Sequence, residues 1–232
     1  MKVFASAQDA LFDVTDGVSI MSGGFGLCGN AENCIAELVR KRVRNLTVIS
    51  NNCGNNGLGL AALLKDGQVR KVIGSFIGGN PDLQEQMLAG KIEVELNPQG
   101  TLAERIRAGG AGLGGFFTPT GVGTVVAQGK ETRVIDGKTY LFETPLRADY
   151  AILRAHIGDE YGNLRFYKTA RNFSPLMATA AKITVVEVEK LVPIGALDPD
   201  DVHLPGIYVN RIFQGQHYQN WIENRTVRNR NE

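Results

Sequence analysis

Apolar positions in the first half of the chain fall in two alternating patterns. Residues 19–22 (SIMS), 46–50 (LTVIS) and 72–77 are compact apolar runs that suit buried strands, and Ile92–Leu96 (IEVEL) alternates with period two. Between them lie helical patterns. From Ala31 to Arg42, Ile35, Leu38, Val39 and Val43 recur at helical spacing, and a short helix is predicted over Leu58–Lys65. A third helix is predicted with Pro81 at its first position and Gly90 just past its end, since proline needs no N–H there and glycine closes a helix cheaply. A fourth is predicted after Asn97–Gly100, with Thr101 as cap, Glu104 completing a capping box, and Gly109 with Gly110 as the stop. The joining loops are rich in glycine and asparagine: Gly23–Asn30, Asn51–Gly57, Gly78–Asn80 and Asn97–Gly100.

Repeated strand–loop–helix units of this length require crossover connections, so the sheet is predicted to be mostly parallel. The second half changes character. Asp136-Gly137 between Thr132–Ile135 and Thr139–Phe142 marks a hairpin. Tyr150–His156 and Leu164–Tyr167 flank a turn at Gly158–Asn163, then come a short helix near Pro175–Ala181 and a strand at Ile183–Val188. The fold class expected is α/β, a mostly parallel open sheet with flanking helices and hairpin insertions in the second half. Residues 1–222 are expected to form one domain, and 223–232, rich in Asn and Arg, a mobile polar tail.

Composition narrows the class. Of 232 residues 28 are glycine, against a usual share of about 7%, and no G-X-Y period appears. Twenty-five basic against 24 acidic residues leave a net charge of +1, so nothing draws the chain globally toward nucleic acid or an anionic membrane. The longest uncharged stretch, Ala108–Gly129, holds eight glycines and Pro119 and reads as loop and strand, not a membrane span. Asp9 and Asp13 stand where a signal peptide needs an apolar run, and Cys28, Cys34 and Cys53 are an odd number, so a reduced, cytoplasmic location is expected.

Candidate chemistry gathers at the loops. Gly24-Phe25-Gly26-Leu27-Cys28-Gly29 matches G-x-G-x-x-G between a strand and a helix, where backbone N–H groups can face an anion. A nicotinamide site also needs an acidic residue at the end of the second strand, and Ile49-Ser50-Asn51-Asn52 has none. No P-loop pattern occurs. The strand ends carry neutral amides instead: Asn51 and Asn52, Asn80, and Asn97 with Gln99. Such a wall can donate to a carboxylate or thioester oxygen but cannot act as nucleophile or base; turn geometry is the competing explanation for each residue. His156, His203 and His217 lie in the second half and read as structural or surface groups, Cys28 as a packing residue, and Glu32 and Glu37 as complements to the start of their helix or solvent-facing groups. No cysteine–histidine arrangement suits a metal. The first half therefore reads as a binding surface whose nucleophile comes from elsewhere.

Four segments carry a resemblance over residues 5–220: Gly23–Gly29, the run Asn97-Pro98-Gln99-Gly100-Thr101 continuing to Gly112, Thr118-Pro119-Thr120-Gly121-Val122-Gly123-Thr124, and Ala170-Arg171-Asn172-Phe173. The chain resembles the A (alpha) subunit, or N-terminal half, of the family I coenzyme A transferases, in the succinyl-CoA:3-oxoacid and acetate/acetoacetate branches. Ser22, where an aliphatic residue usually precedes GGF, and Ala31, where the signature ends in proline, depart from the pattern. The resemblance implies the CoA-transferase (NagB/RpiA-like) fold, no cofactor, and a ping-pong reaction in which a B-subunit glutamate attacks an acyl-CoA and carries CoA as a thioester. That glutamate sits in a Glu-Asn-Gly type motif; the nearest string here, Glu223-Asn224-Arg225, lacks the glycine, and the role is not carried over. By similarity Asn51, Asn52 and Gln99 bind the substrate, and Gly24, Phe25, Gly26 and Gly29 shape the wall beside it. The expected assembly is an A2B2 heterotetramer that moves CoA from succinyl-CoA or another acyl-CoA to acetoacetate, 3-oxoadipate or a short-chain fatty acid. A non-catalytic sensor of small acids and an NAD(P) oxidoreductase are the alternatives.

Overall fold

A computed structural model describes residues 2–221; the expected polar tail and the Glu223-Asn224-Arg225 string lie outside the described residues. After a short helix α1 (Ala7–Ala10) come β1 (Ser19–Ser22), α2 (Glu32–Lys41), β2 (Leu46–Ile49), α3 (Ala61–Lys65), β3 (Val69–Gly74), α4 (Pro81–Leu88), β4 (Glu93–Leu96) and α5 (Gln99–Gly110). A small antiparallel unit follows, β5 (Phe116–Thr118), β6 (Thr132–Ile135) and β7 (Lys138–Glu143). The chain then returns through β8 (Ala148–Asp159), β9 (Leu164–Arg165), α6 (Ser174–Ala180), β10 (Ala181–Val192) and β11 (Arg211–Gln214).

The main sheet runs β11-β10-β8-β1-β2-β3-β4, with every neighbour on this path parallel; β9 alone pairs antiparallel, on β8. Period-two burial makes it a two-faced layer. Ile20, Val48, Val72 and Ile152 enter one core with α2, α3 and Leu83 of α4, while Met21, Ile49, Ile73 and Leu153 enter a second core with α5 and α6. Leu38, Leu63 and Leu102 are fully buried in these layers, each burial stabilising by about 1.5–3 kcal/mol. The helix α2 ends as its pattern requires: Arg42 turns left-handed (φ 54°) and its N–H returns to Val39 O. Ala31 takes φ −77° at the other end without a proline ring to set it. The predicted hairpin forms with Asp136 and Gly137 both at positive φ, but it belongs to the separate three-stranded sheet β5-β7-β6.

Three local expectations fail for visible reasons. The strand β3 starts three residues before the expected position because Lys71 is satisfied across the sheet by Glu93 (2.8 Å) and Glu95 (3.0 Å), so its charge does not end the strand. The capping box does not form: α5 begins at Gln99 with Pro98 as cap, Thr101 is buried inside the first turn, and Glu104 pairs with Arg107. Gly109 and Gly110 lie within α5 instead of stopping it. A Cβ at Gly109 would strike Leu146 O and one at Gly110 would strike Thr179 Oγ1, so these glycines let α5 close on its neighbours.

Candidate functional site

The strand β1 has β2 on one side and β8 on the other, so the chain's crossovers leave it in opposite directions. The crevice at its carboxyl end is the topological switch point, where open α/β sheets bind ligands. The glycine loop occupies it. Gly24 (φ +133°) and Gly29 (φ +80°) adopt backbone that side chains avoid, and a Cβ at Gly29 would lie 2.8 Å from Ala170 O. Phe25 and Cys28 exchange both backbone hydrogen bonds at 3.0 Å, which folds the loop into a tight hairpin whose turn, Gly26-Leu27, is buried while Phe25 is exposed. Gly24 N–H donates to Asn172 Oδ1 (2.9 Å) and Gly26 N–H to Asn52 Oδ1 (2.8 Å). Four of the N–H groups that the glycine pattern suggested for an anion are therefore used inside the chain.

From that loop a hydrogen-bonded network crosses the carboxyl ends of the strands. Asn51 Nδ2 donates to Asn52 Oδ1 (3.3 Å), and Asn51 Oδ1 accepts from Ser75 Oγ (2.8 Å) and from Gln99 Nε2 (3.0 Å). The structure thus brings Asn51, Asn52 and Gln99 together beside Gly24, Phe25, Gly26 and Gly29. Asn51 and Asn52 are buried, and Gln99, the first residue of α5, is the least buried of the three. Two of the amides suggested by the sequence have other work. Asn80 caps α4 by accepting from Leu83 N–H (3.0 Å) and ties back to Cys53 O (2.7 Å). Asn97 is held by Arg105 Nη1 (2.6 Å), which also grips Glu95 (2.8 Å); burial works against that carboxylate, yet hydrogen bonds from Arg105 and Lys71 hold its pKa below the ordinary range. Ser75 and Asn172 belong to the network and were absent from the sequence candidates. Asn172 sits in one of the segments that carried the resemblance, which was the available signal.

The amide network lies at the switch point of a parallel sheet, and the matching family agrees with it: residues 4–215 match the family described as Coenzyme A transferase. The chain belongs to the coenzyme A transferase family. It is 52% identical over 227 residues to the A subunit of the succinyl-CoA:3-ketoacid coenzyme A transferase of Helicobacter pylori, covering 98% of each chain. It is 51% identical over 213 residues to the A subunit of the 3-oxoadipate CoA-transferase of Pseudomonas putida, covering 91% of this chain and 92% of that one. An acyl-CoA transferase from E. coli O157:H7, solved as a thioester complex with CoA, is similar in structure with a TM-score of 0.83 at 26% identity, over 96% of this chain and 49% of that chain. This transferase chain therefore spans about half the length of that solved relative.

On the other side of the switch point the transferase chain is charged. The strand β8 pairs with β1 as far as Ile152 and continues beyond, carrying Arg154 and His156 on one face. Arg154 donates to Glu189 (2.6 Å), to Glu32 (2.9 Å) and to Asn220, and its guanidinium stacks 3.9 Å from the Tyr218 ring. His156 Nδ1 lies 2.7 Å from Glu189. Glu32 and Glu37 are thus not solvent-facing: Glu32 is bound to Arg154, and Glu37 is buried against Arg40 (2.7 Å). Glu187 is fully buried on β10 and accepts from Cys34 N–H (2.8 Å) at the start of α2; burial pushes its carboxyl up to about 7. A cavity of about 430 Å³ lies between this cluster and the glycine loop, lined by Cys28, Gly29, His156, Tyr167 and Trp221 among others. Cys34 and Cys53 are buried, and burial raises both thiols, Cys53 to about 12. Among the described residues no group of three or more His, Cys, Asp or Glu is placed to hold a metal ion, and no helix is long and apolar enough to cross a membrane.

Proposed function

We propose that the chain is the A subunit of a CoA-transferase that moves CoA from succinyl-CoA to a 3-oxo acid such as acetoacetate, working with a B subunit in an A2B2 heterotetramer. One observation carries the reading. The carboxyl ends of β2, β3 and β4 present a connected set of neutral side chains, Asn51, Asn52, Ser75 and Gln99, and the carboxylate near the end of β4, Glu95, is tied to Arg105 and Lys71. Amides can hold a carboxylate or a thioester carbonyl but cannot form the acyl or thioester bond to the enzyme. The nucleophilic glutamate therefore comes from the partner, as the family resemblance implies, and this chain orients what it attacks. Gln99 stands exposed at the start of the twelve-residue helix α5, where its amide and the positive helix end both favour a substrate oxygen. Phe25 and Phe76, both more than 45% exposed, leave apolar surface beside the amides for the acyl-CoA and the approaching partner. Three free cysteines accord with a cytoplasmic setting.

The test compares the purified chain with the chain co-expressed with its B subunit, using succinyl-CoA with acetoacetate and, in parallel, 3-oxoadipate and short-chain acids. Turnover by the complex alone is the expected result. Robust turnover by the isolated chain would sink the split-site reading, and a preference for 3-oxoadipate would move the acceptor while keeping the mechanism.

A further inference from the structure

The glycine loop is gripped from two sides. Asn52 holds its far turn at Gly26, and Asn172 holds its base. Asn172 Oδ1 accepts from Gly24 N–H (2.9 Å) and from Phe173 N–H (2.7 Å), while Nδ2 donates to Cys28 O (3.2 Å) and Ala170 O (3.1 Å). One amide thus joins both strands of the small hairpin, at residues 24 and 28, to the segment that crosses from β9 to α6. That segment is itself fixed, because the next residue, Phe173, is buried in the core beneath the sheet. Asn172 keeps φ +25° and ψ −120°, a strained conformation for any residue but glycine. Strain of this kind persists where surrounding bonds over-determine it, and four hydrogen bonds through one side chain do so.

Resting on the transferase reading above, we infer that Asn172 is a positioning residue for CoA transfer: it clamps the base of the glycine loop so that the loop's tip is held at the switch point beside Asn51, Asn52 and Gln99. The loop is a short hairpin entered at Gly23, whose N–H reaches Ile152 O on β8 (3.1 Å), and beyond that point two side chains from outside the loop orient it against the amides. Asn52 anchors it to the same strand end that carries Asn51, so that anchor follows the wall. Asn172 supplies the independent reference, fixed to the opposite half of the sheet. With Asn172 removed, the loop pivots about Gly26, and the reacting thioester meets a displaced wall, which costs rate more than it costs binding.

The experiment uses the full chain co-expressed with its B subunit, with two readouts. Amide exchange at residues 24–28 should quicken in Asn172→Ala, because Gly24 N–H loses its acceptor. The same variant should lose roughly 10- to 100-fold in kcat, with KM for succinyl-CoA and acetoacetate held near wild type. Asn172→Asp keeps the acceptor for Gly24 and loses the donor to Cys28, so its kcat should fall between the two. An active wild type whose alanine variant keeps its kcat, or keeps its loop exchange, overturns the inference and leaves the functional reading standing. Where the alanine variant fails to assemble, Asn172→Asp decides: a lowered kcat at native KM supports the clamp and a wild-type kcat overturns it. A wild-type complex without transferase activity overturns the functional reading and Asn172's role with it, while loop exchange still decides whether the clamp exists.

Discussion

Two stretches of one parallel sheet meet at β1 and are built from opposite chemistry. Toward β4 the strand ends carry Asn51, Asn52, Ser75 and Gln99, a network of neutral side chains. Toward β10 the strands carry Arg154, His156, Glu187 and Glu189, bound to Glu32 and to the segment around Tyr218. A neutral network can accept a charged visitor without first breaking an ion pair. In the charged one the cations and carboxylates are engaged with one another, and the pairs fasten elements together. Under the proposed function, substrate and partner meet the first region and the second serves structural closure.

The charged side should therefore fail in stability before it fails in rate. Arg154 and Glu32 are both about nine-tenths buried, so Arg154→Ala leaves Glu32 without its cation and Glu189 with His156 alone, and should cost roughly 3–5 kcal/mol in urea unfolding. Turnover per folded complex should hold. A variant that folds normally and loses turnover would reverse the roles of the two regions. The neutral side should show the opposite behaviour. Gln99→Ala touches one exposed amide, so stability should barely move while kcat/KM falls roughly 10- to 1,000-fold, the scale of one substrate-facing amide. An unchanged rate would remove Gln99 from the site. Asn52→Ala probes the border between the regions: it leaves the buried Gly26 N–H without an acceptor, which should cost roughly 1–3 kcal/mol by thermal or urea unfolding, with activity falling as the loop loosens. A stability equal to wild type would mean that the loop does not depend on Asn52.

Much of the neutral region was legible because its signals are local. The ends of β1, β2 and β4 are each followed within two residues by an asparagine or glycine, whereas β3 stops at Gly74, three residues short of the end its apolar run suggests. What the residues do there was less legible. Asn80 and Asn97 look like Asn51 in sequence, and only the positions of Leu83 N–H and Arg105 divert them to capping and ion-pair support. Asn172 lies 148 residues from the Gly24 that it holds, so no local spacing announces it. The charged region was less legible still. Arg154 and Glu32 are 122 residues apart, and position in the chain alone reads Glu32 and Glu37 only as complements to the helix start or as solvent-facing groups. The missed capping box has the same origin: Thr101 and Glu104 have the right spacing, but Pro98 already sets the helix start and Arg107 takes the glutamate.

Glu187 supplies the finest test of the contrast, because a buried carboxyl in a structural region should show itself through pH. It faces Cys34 and Asn33 at the start of α2, Arg154 on the neighbouring strand, and Tyr218 at greater remove. Burial raises its pKa from 4.5 to about 7, against the opposing pull of the hydrogen bonds from Cys34 and Asn33 and the charge of Arg154. Below pH 4.5 both folded and unfolded chains keep the proton, and the folded state bears no penalty. As pH rises the unfolded chain ionises first, so stability is lost progressively until the folded carboxyl ionises near pH 7, and the loss is then constant. Glu187→Gln keeps an oxygen for Cys34 N–H and has nothing to titrate. Its melting temperature relative to wild type should therefore climb between about pH 5 and pH 8 by at least about 3 °C, the equivalent of ~1 kcal/mol in a chain of this size. The kcat of the complex should show no matching step, since the group stands on the charged side of β1. A flat melting difference would mean that Glu187 ionises as it does in water, and a kcat step at the same pH would carry the site across the switch point into the charged half.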